Sequence, residues 1–221
     1  MIIMKFGGTS VANFEAITRT IFIVGGKLDQ KPVVVVSALS KITDLLYRIS
    51  DAATSRNEAE TKEHLAALRK RHVDLAAELL AQSMLKDEAV AKVNSLCDSL
   101  DSIAMAVCSL GELSDRNKAL IISAGEYLSS TIIAYAMNSK GIRTKWIDAR
   151  EMMVTNNSYL KAEPDMNAIA EKVPGVVSAA YEGMDAVITQ GFVGVTEGGE
   201  PTVLGRGGSD TSAVAVAAAL S

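Results

Sequence analysis

Short, unbroken apolar runs alternate along the chain with longer stretches in which apolar residues return every third or fourth position. Ile2–Phe6, Val33–Ser37, Thr144–Ile147 and Ala186–Thr189 read as buried strands, too short for helices and rich in β-branched residues. Helical periodicity is predicted at about 11–25, 41–54, 116–139 and 166–181, with Gly141 ending the third segment and Pro174 interrupting the fourth. Such alternation marks a layered α/β domain with a mostly parallel sheet. Phe192–Val195 and Thr202–Leu204 flank Glu197-Gly-Gly-Glu200, which predicts a β-hairpin with a glycine turn.

From about 60 to 110 the pattern changes, because two helical stripes follow each other with no strand between them. Leu65, Leu68, His72, Leu75 and Leu79 form one stripe; Val93, Leu96, Leu100, Ile103, Val107 and Leu110 form the other. Steps of three and four suit an antiparallel helix pair, a helical-hairpin insertion serving as a structural cover or subunit contact.

Composition narrows the classes. The 221 residues are 48% hydrophobic with a formal net charge of −4, enough to bury one sizeable core as a soluble globular domain. No proline-rich, serine-rich or single-charge run divides the chain, so residues 1–221 read as one unit. No basic stripe with interleaved aromatics suggests nucleic acid, and the apolar runs fall short of the roughly 20 residues of a membrane span. Without a signal-peptide pattern at the start, a cytoplasmic location is expected. Cys97 and Cys108 share one predicted helix about 16 Å apart, too far for a disulfide. His64 and His72, the only histidines, are about 12 Å apart along a helix, which excludes a shared metal ion and makes a histidine-dependent hydrolase a poor fit.

Three segments carry residues that secondary structure does not fully explain, and all should lie at strand ends, where open α/β sheets bind ligands. In Lys5-Phe-Gly-Gly-Thr-Ser-Val11 a strand meets two glycines, and Thr9-Ser10 is expected to cap the next helix, so backbone N–H groups and Lys5 would face an anion. A plain strand-turn-helix corner would use the same glycines. In Thr202-Val-Leu-Gly-Arg-Gly-Gly-Ser-Asp-Thr-Ser212 a strand passes through glycines into a helix expected to begin near Asp210. Arg206 offers a fork for a carboxylate or phosphate, while Ser209 or Asp210 is the natural cap. In Ile122-Ser-Ala-Gly-Glu-Tyr-Leu-Ser129, Ser123 and Glu126 have the spacing of a capping box, and Gly125 implies a close approach by some other group.

Together these segments offer donors for phosphates, an arginine for a carboxylate and a glutamate for an ammonium, but no evident general base. A carboxylate attacking phosphorus is already ionised at neutral pH and needs none.

Lys5-Phe-Gly-Gly-Thr-Ser-Val11, Ser123-x-Gly-Glu-x-Leu-Ser129, Thr189-Gln-Gly-Phe-x-Gly194 and Leu204-Gly-Arg-Gly-Gly-Ser-Asp-Thr-Ser-Ala213 resemble, in order, the signatures of the aspartate kinases. Val35-Val-Ser-Ala-x-Ser-Lys-Ile-Thr-Asp44 resembles the second loop of that family, and the similarity spans the chain. The resemblance implies a three-layer α/β/α sandwich of the amino-acid kinase type. It also implies transfer of the ATP γ-phosphoryl group to the β-carboxylate of L-aspartate, giving 4-phospho-L-aspartate on the way to lysine, threonine and methionine.

By the same resemblance Lys5 contacts the transferring phosphoryl group, Gly7, Gly8 and Gly208 lend phosphate-binding backbone, and Asp210 holds Lys5. Arg206 would grip the aspartate α-carboxylate and Glu126 its ammonium, with Ser37, Thr43, Phe192, Gly207 and Ser209 completing the pocket. Mg²⁺ would arrive with the ATP phosphates, no metal site of the chain's own is implied, and the full-length protein would be a homo-oligomer.

Aspartate kinases continue with a nucleotide-binding half and ACT-type regulatory domains, and some are fused to a homoserine dehydrogenase, so the chain is expected to be the aspartate-binding part of a longer protein. The rival readings are a kinase of the same fold acting on another acid, such as acetylglutamate, glutamate or carbamate, a nucleoside monophosphate kinase, and a non-catalytic amino-acid-binding fragment.

Overall fold

The computed structural model describes residues 1–221. In chain order its elements are β1 (Ile2–Phe6), α1 (Phe14–Gly25), β2 (Pro32–Val36), α2 (Ile42–Thr54), α3 (Glu58–Leu79), α4 (Lys86–Leu110), α5 (Asp115–Ser139), β3 (Thr144–Trp146), β4 (Val154–Thr155), α6 (Met166–Ala180), β5 (Ala186–Gln190), β6 (Val193–Thr196), β7 (Pro201–Val203) and α7 (Gly208–Ala219). The main sheet is wholly parallel in the order β1-β2-β5-β3.

Strict alternation in the central strands divides the interior into two cores. Val34, Val36, Ala186 and Ile188 point to one face and join residues of α1 to α5. Val33 and Val187 point to the other, with Ile169, Val173 and Val177 of α6 and Ala215 and Val216 of α7. A strand buried on both faces has no polar side to offer, which is why β2 is an unbroken run of valines after Pro32. The result is the expected three-layer α/β/α sandwich.

Several boundaries differ from the sequence reading. Thr9 and Ser10 do not cap α1: Ser10 N–H bonds back to Gly7 in a turn, and Asn13 accepts the N–H of Ala16 at 3.0 Å instead. Nor does Pro174 interrupt α6, which runs through it; the proline and Ala170, whose carbonyl would otherwise be bonded, are both exposed, so water can satisfy the freed group. Ser114, not Ser123, caps α5, so the capping-box reading fails; Ser123 lies inside the helix and donates to the Leu120 carbonyl. The predicted hairpin forms, but within a separate small sheet, β4-β6-β7, in which β4 and β6 are parallel.

α3 and α4 pack together, and their stripes join the principal core. Leu110 is the exception, at 66% exposure. Arg69 clasps the pair, reaching Asp98 and Asp101 at 2.7 Å each. α5 is long and apolar enough to cross a membrane by composition, yet 78% of its most apolar window is buried among the other elements. Both cysteines are free and buried in α4.

Candidate active site

At the carboxyl ends of β1, β2 and β5 the chain leaves the sheet, and the amino terminus of α7 comes in beside them. A cleft of about 720 Å³ opens there. Its walls include Lys5, Gly8, Ser37, Thr43, Glu126, Phe192, Arg206, Gly207, Gly208, Ser209 and Asp210, so eleven of the twelve predicted site residues converge on one space. The twelfth, Gly7, sits directly beneath: a Cβ there would lie 3.3 Å from the Lys5 ammonium, so its bare backbone gives that side chain room to fold over. A second depression of about 860 Å³ beside β4 and β6 holds none of the twelve.

Lys5 and Asp210 form an ion pair of 2.8 Å between Nζ and Oδ1. Asp210 is well exposed and Lys5 half-buried, so the pair stands in the cleft mouth, where its worth lies in orientation more than in stability. Asp210 belongs to the first turn of α7, where a carboxylate is also favoured by the helix dipole. The helix cap is Gly207, at φ +76° and without a side-chain bond, so neither Ser209 nor Asp210 is used as the cap. Both are left free to face the cleft.

Ser209 is placed by packing. The Ser37 hydroxyl donates to its Oγ at 2.8 Å, and the Ser37 carbonyl accepts from Ser129. Any side chain at Gly191 would collide with Ser209, its Cβ coming within 2.6 Å. Phe192 is buried in the left-handed region at φ +67°, unusual for a bulky residue. Its N–H bonds to Ser212 Oγ and its carbonyl accepts from Leu204, which holds the strained turn against the start of α7.

Glu126 has the most unusual environment. It is only 3% exposed, Oε1 accepts the N–H of Ala38 at 3.2 Å, and Oε2 has no partner. Burial pushes its pKa up to about 8, which favours the neutral acid at neutral pH. Gly125 beside it is explained by packing: a Cβ would lie 2.7 Å from Ala38 Cβ and 2.9 Å from Ile42 Cγ2. The close approach is made by α2 and the loop before it rather than by a ligand.

Arg206 is exposed and has neither a hydrogen bond nor an ion pair, so its guanidinium fork is available. The cleft also contains residues that the motifs did not single out, chiefly Lys41, Tyr47, Leu160 and Lys161. Leu160 and Lys161 arrive from a loop tied down by the mutual bonds of Tyr159, Ala162 and Val203 and by the Tyr159 hydroxyl on Glu200. Nothing local marks that loop as part of the site. Lys41 did leave a signal, since it lies within the Val35–Asp44 segment. No cluster of three or more His, Cys, Asp or Glu side chains is placed to hold a metal ion.

Residues 1–221 match the sequence profile described as the amino acid kinase family. Lysine-sensitive aspartokinase 3 of Escherichia coli strain K12 is 32% identical over 221 residues, covering all of this chain and 46% of that protein. Among solved structures, E. coli aspartokinase III in complex with lysine and aspartate superposes with a TM-score of 0.88 at 31% identity. The complex of the same enzyme with aspartate and ADP gives 0.86. Each covers the whole of this chain and 47% of the solved one. The chain thus spans about half the length of these relatives.

Proposed function

This chain belongs to the amino acid kinase family, and on that premise we propose that it forms the aspartate-binding part of an aspartate kinase, acting with ATP to give 4-phospho-L-aspartate. The observation that carries this reading is the unequal provision of the cleft. It holds an unpaired arginine fork, a buried carboxyl with a free oxygen, and a lysine oriented by an aspartate at the mouth.

Each feature suits one group of the reactants. Arg206 takes the α-carboxylate bidentately. Glu126 takes the α-ammonium: the arriving cation offsets the burial that keeps the carboxyl protonated, and an ion pair replaces a neutral acid. Ser37, Thr43 and Ser209 supply hydroxyls, and Phe192 with Gly207 shapes the wall. The β-carboxylate, ionised already, attacks the γ-phosphorus; the bond from phosphorus to the bridging oxygen breaks, and ADP leaves with that electron pair. No proton need be removed. Lys5, held by Asp210 over Gly7 in the cleft that Gly8 and Gly208 also line, faces the charge that develops on the transferred oxygens.

The fit to Mg²⁺ is that of an ion carried by phosphates. Asp210 and Glu126 are the only carboxylates lining the cleft, one engaged by Lys5 and the other buried, so the chain contributes at most a single outer ligand.

Trapping the acyl phosphate with hydroxylamine, with aspartate and glutamate compared as acceptors, tests the reading. Aspartate-dependent trapping supports it. A preference for glutamate or another acid transfers the chain to a different kinase of the fold, and aspartate binding by calorimetry without any transfer in a full-length protein reduces it to a binding module.

A further inference from the structure

Four residues other than glycine have positive φ: Lys31, Lys41, Arg56 and Phe192. Two of them are ordinary helix endings. Lys31 closes a short helical turn, and Arg56 follows the last residues of α2 and donates to the Leu110 carbonyl. At a helix carboxyl end both a left-handed residue and a cation are favourable.

Lys41 is placed the other way round. With φ +66° and ψ 3°, it stands at the amino-terminal cap of the thirteen-residue α2 and makes no side-chain capping bond. A left-handed lysine costs energy where asparagine or glycine would fit. A lysine cannot accept the orphan N–H groups of the first turn. Its positive charge also opposes the positive end of the helix dipole. No ion pair offsets these costs, for Lys41 takes part in none. Its side chain is exposed and lines the cleft, next to the loop whose Ala38 N–H binds the buried Glu126 carboxyl.

We propose that Lys41 is an oxyanion-binding residue of this cleft, its ammonium and the N–H groups of Thr43 and Asp44 in the first turn of α2 together receiving a carboxylate or phosphoryl oxygen of the reactants. The proposal rests on the functional reading above and extends it, since it adds a determinant that the twelve predicted residues do not include. An arriving oxyanion would satisfy at once the uncapped helix and the unpaired lysine, turning a local instability into binding energy.

The test compares the purified chain with Lys41→Asn and Lys41→Arg by calorimetric titration with aspartate and, separately, with inorganic phosphate, alongside thermal melting. Lys41→Asn is expected to raise the melting temperature by about 2–4 °C, because asparagine tolerates the left-handed turn and removes a charge that opposes the helix dipole. It should also weaken at least one of the two anions about tenfold. Lys41→Arg should retain binding within about threefold of the parent, as a cation in the same place. Loss on the aspartate arm alone identifies a carboxylate contact, and loss on the phosphate arm a phosphoryl contact. Unchanged affinity for both anions in Lys41→Asn, or a lower melting temperature, overturns the proposal. If the parent binds phosphate but not aspartate, and Lys41→Asn weakens it, the lysine's role stands while the aspartate reading falls. A parent that binds neither sinks both.

Discussion

Lys5 Nζ lies 2.8 Å from Asp210 Oδ1, so the first strand and the last helix meet at one ion pair in the mouth of the cleft. Two motifs at opposite ends of the sequence become one device only after the sheet forms, because β1 and α7 pack against each other. Neither side chain is buried enough for the pair to matter much to folding.

In a catalytically competent chain, Lys5→Ala is expected to lower turnover roughly a hundredfold to a thousandfold, with little change in aspartate affinity. Asp210→Ala should impair the same step by misdirecting the lysine. Groups acting as a unit are not additive, so the double variant should be little worse than Lys5→Ala alone. Fully multiplicative losses in the steady-state constants would show that the two act independently.

Arg206 should reveal itself through the Michaelis constants. Lysine in its place retains charge and loses the planar fork, so the constant for aspartate should rise about tenfold or more while that for ATP moves little. Equal effects on both substrates would reassign Arg206 to the phosphates.

Gly125 gives a prediction about packing rather than chemistry. Alanine would gain about 1 kcal/mol of helix propensity but would place a methyl 2.7 Å from Ala38 Cβ, an atom fixed to the backbone. Overpacking of this kind costs roughly 1–3 kcal/mol, so Gly125→Ala should unfold at lower urea concentration than the parent. A higher midpoint would mean that α2 can move away from α5 at small cost.

The main sheet was legible because its central strands are buried on both faces: Val33–Val36 and Ala186–Ile188 carry no polar side to blur the period. The site was legible where glycines break that pattern, at Gly7-Gly8 and Gly205–Gly208. What escaped was set by contacts distant in sequence. β4 is two residues long, too short to give any periodic signal, so the second sheet was invisible apart from its hairpin. Gly125 signalled a close approach without naming its source, because the approach of Ala38 and Ile42 exists only in three dimensions. Thr9 and Ser10 are good capping residues, but the turn that returns Ser10 N–H to Gly7 postpones the helix to Asn13.

His72 should set an acid limit on stability. It is fully buried, Nδ1 meets the Leu68 carbonyl at 2.8 Å, and burial lowers its pKa from 6.5 to about 4. The unfolded chain then binds the proton more readily, so stability is retained above pH 6.5 and lost as pH falls toward 4. His72→Leu, which keeps an apolar residue in the α3 stripe, should flatten that limb in a series of denaturant titrations. An unchanged limb would place the acid sensitivity elsewhere.

Glu126 should act in the opposite direction, and the ligand should modify its effect. Its folded pKa of about 8 lies above the ordinary 4.5, so the folded state holds the proton longer than the unfolded chain does. The contribution is complete below about pH 4.5 and is lost as pH rises through 8, a change on the order of a few kcal/mol that Glu126→Gln should abolish. If the ammonium of aspartate docks on Oε2, binding at pH 7 must expel the proton. Calorimetry in two buffers of different ionisation enthalpy would then give heats that differ by nearly one proton per aspartate bound. Glutamine cannot release a proton, so the same titrations on Glu126→Gln should show weaker binding with no dependence on buffer. Tight, buffer-independent binding by the parent chain would mean that the carboxylate is already ionised in the empty cleft, and the free oxygen of Glu126 would need another partner.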